Sequence, residues 1–408
     1  MPINTDVYFH KTVAFRFWKQ SLQFRLSQQL FSSHNIDTGT KFLLRTIVEA
    51  GHPPFKRILD VGCGYGPLGL TLKCLYRDSL LHLLDRDALA VEYTRQNAEL
   101  NGLTDVAIYG SLGYDDVNRN DFNLIVANIP DHAGETVITY LIQEARYYLA
   151  PGGTVAILVV APLENMVDKI MLDISDAEVI LKRNQSRHVV FHYKFSDVIT
   201  LPRLAQNSLE RGVYHRNDIT MHLGKLEYKM QTANGLPEFD SLSYSSEMLI
   251  NALGEAGDGE INHAAVLNPG QGHVAVALWK ILKPKSITLV NRDLLALRYS
   301  QRNLILNGCR PESISILHQV GLDPNFQGKI DLFIGSLRGE EGKKASLLTL
   351  DQMTANLSDK GIIILSSGST AITRLADYIE SQGLLHIKKR ERRRGYSLLV
   401  MDKISGSN

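Results

Sequence analysis

Ile58-Leu59-Asp60-Val61-Gly62-Cys63-Gly64-Tyr65-Gly66-Pro67-Leu68-Gly69 is the stretch that decides the fold of the first half of this chain. Its apolar start predicts a buried strand, its alternate glycines a tight turn, and the leucines that follow a helix. Glycine has no Cβ, so the backbone of the turn can bend sharply and lie close to a ligand. The N-terminus of the helix, with its free N–H groups, points toward the same place. The stretch therefore predicts the strand, turn and helix that open an α/β nucleotide-binding unit.

The glycine spacing argues against two common phosphate-binding loops. A dinucleotide fingerprint requires glycine at the first, third and sixth places, and the sixth place counted from Gly62 is Pro67. A P-loop ends in Gly-Lys-Ser/Thr, which is absent here. What remains is Gly-x-Gly-x-Gly after Asp60. This pattern resembles motif I of class I S-adenosylmethionine-dependent methyltransferases, in which the loop lies under the methionine part of the cofactor.

A second acidic position supports the resemblance. The next apolar run, residues 80–84, ends at Asp85, and a carboxylate at the tip of the second strand can accept hydrogen bonds from both ribose hydroxyls. A glycine-rich turn that binds nothing is the alternative, and the two features in this order favour the cofactor. The resemblance implies that S-adenosylmethionine is bound by Asp60, Gly62, Cys63, Gly64, Gly66, Asp85, Arg86, Ser111 and Leu112.

The bulk composition restricts the class of protein. A chain of 408 residues is too long for one ordinary core and fits two domains of about 200 residues. A net charge of +1 leaves any nucleic-acid contact to local basic patches. Cys63, Cys74 and Cys309 are widely spread without metal-ligand spacing, which fits a reducing compartment. We find neither a signal sequence nor an apolar run of about 18 residues, so we expect a cytoplasmic protein without a membrane span or a metal site.

Ahead of the glycine loop, residues 8–31 alternate apolar and polar positions, which predicts a small antiparallel hairpin. The segment LFSS at residues 30–33, IDTGTKFLLRT at 36–46 and ILDVGCGYGPLGL at 58–70 together resemble the methyltransferase small domain family. That family includes the ribosomal RNA small subunit methyltransferase C and large subunit methyltransferase G proteins, which methylate guanine N2. The resemblance implies ribosomal RNA or a ribosomal subunit as partner. Asp37 is open to two interpretations, a helix cap or a residue at the mouth of the active site.

After Asp85 the strands and helices alternate. Strands are predicted at 106–109, 122–127 and 155–160, and helices at 86–100, 140–149 and 163–174. Residues 178–182 and 189–194 then predict an antiparallel pair. This order predicts a seven-stranded, mostly parallel sheet with a C-terminal antiparallel hairpin.

The same pattern then repeats. Segment 292–308, RDLLALRYSQRNLILNG, aligns without a gap on segment 86–102, RDALAVEYTRQNAELNG. Residues 235–250 repeat the region of 30–44, residues 266–274 the glycine loop, 330–334 the fourth strand and 361–365 the fifth. We infer a whole-domain duplication with its joint near 197–215. The predicted fold is α/β, with two tandem Rossmann-like class I methyltransferase domains at 1–200 and 201–408.

The two copies differ where the chemistry is expected. In our alignment Asn268 replaces Asp60, Val274 replaces Gly66 and Asn291 replaces Asp85, while Ser336-Leu337-Arg338 replaces the segment after the fourth strand. A β-branched residue disfavours the glycine conformation, and an amide lacks the charge that grips two hydroxyls. We therefore expect the second copy to keep the fold without the cofactor, and Asp293 to be a helix N-cap. In the two ribosomal relatives the competent copy is the C-terminal one, so the order here is inverted.

The fourth strand ends in Asn128-Ile129-Pro130-Asp131. In the family, an Asn-Pro-Pro-aromatic motif draws the lone pair of an exocyclic amine out of conjugation, because the asparagine oxygen and the next carbonyl accept its hydrogens. The resemblance implies these roles for Asn128 and Ile129, with Pro130 stiffening the turn. The stacking aromatic is absent, so a base would stack on Tyr8, Phe9 or Phe31, or the acceptor is not a nucleobase. A plain turn is the other interpretation of Asn128 and Pro130.

A basic run, Lys388-Lys389-Arg390-Glu391-Arg392-Arg393-Arg394, lies in the last hairpin of the second copy. Such a run is either a solvated surface or an RNA contact, and we list Arg390, Arg392 and Arg393 with Asp37 and Phe31 as candidate substrate residues. The family resemblance thus implies a ribosomal RNA guanine-N2 methyltransferase. Two alternatives stay open: a methyltransferase of a protein or small molecule, and a non-catalytic RNA-binding factor.

Overall fold

The computed structural model describes residues 6–196, 207–257, 259–322 and 328–404. The chain divides into two compact units. The front unit is Phe9–Tyr214, and the rear unit is His215–Asn408 together with Met1–Tyr8. The predicted boundary between residues 200 and 201 lies outside the described residues.

The front unit begins with a hairpin and continues as an α/β sheet. The hairpin strands are β1 (Phe9–Phe17) and β2 (Gln20–Ser27), and the sheet strands are β3 (Arg57–Val61), β4 (Leu80–Asp85), β5 (Val106–Gly110), β6 (Phe122–Asn128), β7 (Leu149–Val160), β8 (Ala177–Gln185) and β9 (His188–Phe195). The helices are α1 (Thr38–Glu49), α2 (Pro67–Leu75), α3 (Ala88–Leu100), α4 (Glu135–Glu144) and α5 (Glu164–Asp173).

The sheet order is β5-β4-β3-β6-β7-β9-β8. Strands β3 to β7 pair in parallel, and β9 pairs antiparallel with both β7 and β8. The central strand β3 is buried on both faces, as parallel strands flanked by helices are. The predicted hairpin and the predicted seven-stranded, mostly parallel sheet are confirmed. Chain order reverses between β3 and β6, and the carboxyl ends of these strands form the crevice in which α/β folds bind ligands.

One helix differs from its prediction. We predicted a helix over 140–149, whereas α4 covers Glu135–Glu144 and a short 3₁₀ turn, Ala145–Tyr147, follows it. Strand β7 already begins at Leu149, which pairs with Phe122. A register shift between Phe122 and Leu124 accommodates the segment 150–153, so Pro151 and its two glycines lie in a bulged strand end instead of a separate turn.

The rear unit repeats this architecture. Its hairpin strands are β10 (His215–Leu223) and β11 (Leu226–Ala233), and its sheet strands are β12 (His263–Leu267), β13 (Ser286–Asn291), β14 (Ile314–His318), β15 (Ile330–Ser336), β16 (Leu357–Gly368), β17 (Leu385–Arg393) and β18 (Tyr396–Lys403). The helices are α6 (Tyr244–Asn251), α7 (His273–Leu282), α8 (Leu294–Leu306), α9 (Gly342–Asn356) and α10 (Ser369–Gln382). The sheet order β14-β13-β12-β15-β16-β18-β17 is that of the front unit. In the described residues, no helix is both long and apolar enough to cross a membrane.

A buried asparagine joins three parts of each unit. Asn97 on α3 is fully buried, and its Oδ1 accepts the Arg25 N–H at 2.7 Å. Its Nδ2 donates to the Arg25 and Tyr65 carbonyls at 3.2 and 2.9 Å, which ties the hairpin and the glycine loop to one helix. Asn303 does the same in the rear unit with Gln231 and the carbonyl of Gln271. The duplicated sequence therefore preserves a polar contact between three separate segments.

We predict that Asn97→Ala lowers the free energy of unfolding of the front unit by about 2–4 kcal/mol, because it leaves buried backbone groups of the hairpin and the loop without partners. Urea unfolding measures this loss. The matched control is Asn101→Ala, which removes similar bonds to Gln23 at an exposed site and is expected to lower the free energy by about 1 kcal/mol or less. Equal losses for the two variants would contradict the prediction.

Candidate functional site

A cavity of about 250 Å³ lies at the carboxyl ends of the front-unit strands β3, β4 and β6. Its walls come from the loops after these strands, from the start of α1 and from one face of α4. Most of the residues implied by the family resemblance line it: Phe31, Asp37, Asp60, Gly62, Cys63, Gly64, Asp85, Arg86, Ser111, Asn128, Ile129 and Pro130. The topology thus brings together residues that lie as far as 99 positions apart in the chain (31 to 130).

The glycine loop forms the floor of the cavity. Gly62, Gly64 and Gly66 all have positive φ, at 76°, 58° and 88°, where other residues are strained. A Cβ at Gly62 or Gly64 would meet no atom within 4 Å, so a side chain there would project into open space. A Cβ at Gly66, in contrast, would collide with Leu70 at 2.8 Å, because this glycine packs against the start of α2. Two glycines therefore leave room for a ligand, and the third lets the helix begin.

Two carboxylates, that of the buried Asp60 and that of the half-buried Asp85, hold this loop in place. The Asp60 side chain accepts the Gly69 N–H at 2.8 Å, which joins the end of β3 to the first turn of α2. The Asp85 carboxylate accepts the Gly64 N–H and the Asp87 N–H, each at 2.9 Å. A carboxylate has about four acceptor positions, so Asp85 keeps capacity for two further donors such as a pair of hydroxyls.

Burial dominates the titration of both carboxylates. It raises the pKa of Asp60 to about 7, since the Gly69 hydrogen bond offsets the loss of solvent only in part and the nearby Asp85 adds repulsion. Burial likewise raises the pKa of Asp85 to about 6. Two acidic groups whose ionisation is disfavoured by burial are suited to a ligand that supplies hydrogen-bond donors and positive charge.

The Asn128 end of β6 forms a further part of the cavity wall. Asn128 is half-buried, and its Nδ2 lies 3.4 Å from the Thr40 hydroxyl. The Ile129 N–H donates to the Leu158 carbonyl at 2.9 Å, which fixes the turn while the Ile129 carbonyl stays available. Asp131, where the family has its aromatic, is exposed and pairs with His132.

Of the three aromatic residues predicted to stack a base, the fold places only one at the cavity. Phe31 lines the cavity and is 76% exposed, so its ring is accessible at the mouth. Phe9 lies under the Arg25 guanidinium and does not line the cavity. Tyr8 belongs to the rear unit, where it is buried. Of the three alternatives, Phe31 is the one at this site.

Of the remaining residues predicted to bind the cofactor, some line the cavity and others are packed behind its wall. Ser111 lines the cavity and is held by the Gly113 carbonyl and the Asp116 N–H. Leu112 is buried and does not line the cavity, whereas Gly113 does. The Cys63 thiol is buried near the Thr94 hydroxyl, and burial raises its pKa well above the ordinary value. This thiol is therefore part of the packing under the loop.

Two tyrosines at the cavity were missed by sequence reasoning. Tyr65 lies inside the glycine motif, lines the cavity and is 2% exposed. Tyr214 enters the wall from the far end of the front unit, because Ser208 and Arg211 anchor that segment to Asp115 and Glu144. For Tyr65, its position between two glycines of the motif is a sequence signal that could have identified it as a cavity residue. For Tyr214 there was no local signal.

The rear unit retains the loop with a different alignment from the one we inferred. Asn268, with φ 50°, is the structural equivalent of Gly62. The N–H of Gly62 donates to the Leu84 carbonyl, and that of Asn268 donates to the Val290 carbonyl, each at 2.9 Å. Gly272 precedes α7 as Gly66 precedes α2, and Val274 lies in the first turn of that helix. The alignment of Asn268 with Asp60 and of Val274 with Gly66 was therefore wrong by two positions. The rear residue at the place of Asp60 is Val266, which cannot hold a helix N–H.

Side chains of the rear unit occupy the region that corresponds to the Asp85 site. Asn291 keeps the place of Asp85, but its Oδ1 accepts from Arg338 at 2.9 Å as well as from the Asp293 N–H. The Tyr8 hydroxyl donates to Glu341, which also pairs with Arg292. The space that remains beside Asn291 is about 20 Å³. A larger cavity of about 480 Å³ lies at Asn268, Gly270 and Ser336, but Asn291 does not line it. Asp293 is the N-cap of α8, as predicted.

The basic run lies on β17 and the turn after it, in the rear unit. Lys389 pairs with Glu255 at 2.8 Å, and Arg393 pairs with Glu247 at the same distance. Arg390 donates to the Thr373 hydroxyl, and Arg392 is exposed. Acidic neighbours thus compensate part of the charge that the sequence shows. Among the described residues no cluster of three or more potential metal ligands is found, and the three cysteines are free thiols.

Comparison with known proteins adds independent evidence. The model of the methyltransferase small domain family matches residues 21–190, within the front unit. The uncharacterized protein YbxB of Bacillus subtilis (strain 168) is 34% identical over 154 residues, which are 36% of this chain and 74% of that protein. Ribosomal RNA small subunit methyltransferase C of Actinobacillus pleuropneumoniae serotype 7 (strain AP76) is 32% identical over 180 residues, 42% of this chain and 53% of that protein. The chain therefore spans about half of the length of this second relative.

One solved structure is similar over almost the whole chain. It is the T. thermophilus 16S rRNA N2 G1207 methyltransferase (RsmC) in complex with AdoMet and guanosine, with a TM-score of 0.67 and 16% identity. The match covers 97% of this chain and 99% of that chain. This likeness confirms the predicted fold of two tandem Rossmann-like class I domains.

We predict that the contribution of Asp60 to the stability of the front unit falls as the pH rises from about 4 to about 7. The pKa of Asp60 is about 7 in the folded state and 3.8 as the reference value, so the folded state holds a proton that the unfolded chain has released over this range. Asp60→Asn keeps an acceptor for Gly69 without the buried charge, and it should exceed the wild type by roughly 2–4 kcal/mol at pH 8 and by much less at pH 4. Denaturant unfolding across this pH range measures the difference.

Asp168→Asn, on the exposed side of α5, is the control for the background slope. A difference between Asp60→Asn and the wild type that does not change with pH would contradict the prediction.

Proposed function

The chain belongs to the methyltransferase small domain family and is an S-adenosylmethionine-dependent methyltransferase, and we propose that its front unit methylates ribosomal RNA at guanine N2. The observation that carries this proposal is the meeting of the Asp85 carboxylate, the glycine loop and the Asn128 amide in one cavity. The small-subunit relative and the structural neighbour are both named as ribosomal RNA methyltransferases, which supports the RNA part of the proposal.

The residues of the front cavity fit the cofactor. Asp85 has acceptor capacity for ribose hydroxyls, and Gly62 and Gly64 leave the floor of the cavity open. When bound, S-adenosylmethionine supplies an electrophilic methyl group on a positively charged sulfur. The cavity contributes two raised-pKa carboxylates near its floor, which can ionise against that charge.

The acceptor side of the cavity fits an exocyclic amine. Such an amine is a weak nucleophile because its lone pair is delocalised into the ring. Asn128 Oδ1 and the Ile129 carbonyl are two acceptors on one short turn, and binding both hydrogens of an –NH₂ group favours the conformation in which the lone pair is free. Phe31 offers an accessible ring at the mouth for stacking a base, worth about 1–3 kcal/mol of binding.

The rear unit is proposed to position RNA. Its own nucleoside region is occupied by Arg338 and Tyr8, so cofactor binding there is disfavoured. Its last hairpin exposes Arg390 and Arg392, which can contact phosphates, although Lys389 and Arg393 are paired with acidic residues. A ribosomal RNA substrate also agrees with the cytoplasmic location that we expected from the composition.

We predict one binding site for S-adenosylhomocysteine per chain in titration calorimetry. Asp85→Ala should abolish binding, because the ribose hydroxyls lose their acceptor, whereas Asn291→Ala, the matched change in the rear unit, should leave it intact. Affinity should also rise between pH 5 and pH 7, since Asp85 with a pKa of about 6 accepts from hydroxyls best when ionised. Two equal sites per chain would contradict the division between the units.

We predict that Asn128→Ala lowers methyl transfer to undermethylated ribosomal RNA by about 100-fold or more, through loss of an acceptor at the reacting amine. Affinity for S-adenosylhomocysteine should stay near that of the wild type. Transfer of labelled methyl groups, followed by nucleoside analysis, measures both the rate and the modified position.

The same assay separates the alternatives. Label in protein or small molecules but not in RNA would favour a different acceptor, and RNA binding without any transfer would favour a non-catalytic factor. Either result would overturn the proposed substrate.

A further inference from the structure

The Thr40 hydroxyl lies between an acidic helix cap and the Asn128 amide. We propose that Thr40 is a positioning residue, which determines that the oxygen of the Asn128 side chain, and not its nitrogen, faces the substrate. This inference rests on the methyl-transfer function proposed above, because it concerns how the acceptor amine is recognised.

The first turn of α1 fixes the Thr40 side chain. Asp37 is the N-cap of this helix, and its Oδ1 accepts the Thr40 N–H at 2.9 Å. The other carboxylate oxygen, Oδ2, accepts the Thr40 hydroxyl at 2.5 Å. Thr40 is 2% exposed, so water does not compete effectively for this bond. One carboxylate therefore holds both the backbone and the side chain of Thr40.

The single hydrogen of the Thr40 hydroxyl then determines the orientation of the Asn128 side-chain amide. A threonine hydroxyl has a single hydrogen, and here that hydrogen forms the hydrogen bond to Asp37. Toward Asn128 the Thr40 oxygen can only accept, and the Asn128 Nδ2 lies 3.4 Å from it. The opposite orientation of the amide would place two acceptor oxygens against each other. The nitrogen therefore faces Thr40, and Oδ1 is directed away from it.

This orientation suits the proposed reaction. An exocyclic amine presents hydrogens, so it needs an acceptor on the Asn128 side chain and would be repelled by an amide –NH₂. Without the Thr40 hydroxyl the amide could adopt either orientation. The hydrogen-bond chain from Asn128 through Thr40 to Asp37 thus selects the productive one before substrate arrives.

The rear unit is an internal control. Ser243 caps α6 as Asp37 caps α1, and its hydroxyl accepts the Ser246 N–H at 3.1 Å. Ser246, at the place of Thr40, donates to Glu238 instead. Ser336 stands at the end of β15, where the front unit has Asn128. The cap is kept as a structural feature, while the hydrogen-bond chain is lost together with the amide that it would orient.

Three variants of the 408-residue chain test the inference. Thr40→Val keeps the size of the side chain and the helix cap but removes the hydroxyl, and Thr40→Ser restores it. Thr46→Val is the matched control on the same helix, since its buried hydroxyl bonds Leu43 and His192 away from the cavity. Thr40→Ala repeats the test if the valine variant does not fold.

We expect Thr40→Val to lower the single-turnover rate of RNA methylation by about 10- to 100-fold, with S-adenosylhomocysteine affinity near the wild-type value. Thr40→Ser should recover most of the rate. In an Asn128→Ala background, Thr40→Val should have almost no further effect, because Thr40 acts through that amide. A wild-type rate in Thr40→Val, or losses that multiply in the double variant, would overturn the inference.

A measurement without RNA keeps the two proposals distinguishable. The side-chain amide signals of Asn128, assigned by their loss in Asn128→Ala, should shift in ¹⁵N-labelled Thr40→Val and stay in place in Thr46→Val. Unchanged Asn128 signals in Thr40→Val would refute the positioning role. If the wild type fails to methylate RNA while these signals shift, the substrate proposal fails and the amide assignment stands.

Discussion

The front unit depends on two carboxylates, those of Asp60 and Asp85, at the carboxyl ends of neighbouring parallel strands. Asp60 holds the first turn of α2, and Asp85 holds the middle of the glycine loop. Parallel strands place these ends at one edge of the sheet, so the two hydrogen bonds fix the floor of the cavity relative to both strands. Burial makes each ionised carboxylate costly, and a ligand that brings donors and positive charge offsets that cost.

The rear unit has the same backbone fold without the two carboxylates. The loop keeps its conformation because Asn268 adopts a positive φ, which asparagine tolerates better than most residues. The carboxylate positions are Val266 and Asn291, and Arg338 with Tyr8 fill the space beside them. Buried asparagines at equivalent places, Asn97 and Asn303, still join helix, hairpin and loop in both units. Structural polar contacts were therefore retained after duplication, while the charged groups of the cavity were not.

On the acceptor side of the front cavity, the hydrogen bonds of one carboxylate likewise determine the orientation of a neighbouring side chain. Asp37 is the N-cap of α1, and the same carboxylate accepts a hydrogen bond from the Thr40 hydroxyl. The consequence reaches Asn128, because an oxygen without a spare proton can face only the nitrogen of the amide. The two interpretations of Asp37, helix cap and residue at the active-site mouth, thus describe one group with two contacts.

The sequence by itself determined the elements and their repetition. Glycine spacing, apolar runs and the recurrence of segment 86–102 at 292–308 are local patterns, and they correctly predicted two α/β sheets with terminal hairpins. Only the tertiary structure decided which side chains meet. Thr40 and Asn128 are 88 positions apart, Tyr214 reaches the cavity from the end of the front unit, and Tyr8 packs in the rear one. The physical reason is that periodicity records which face of an element is buried, whereas contacts between distant residues depend on strand order and on where each helix begins.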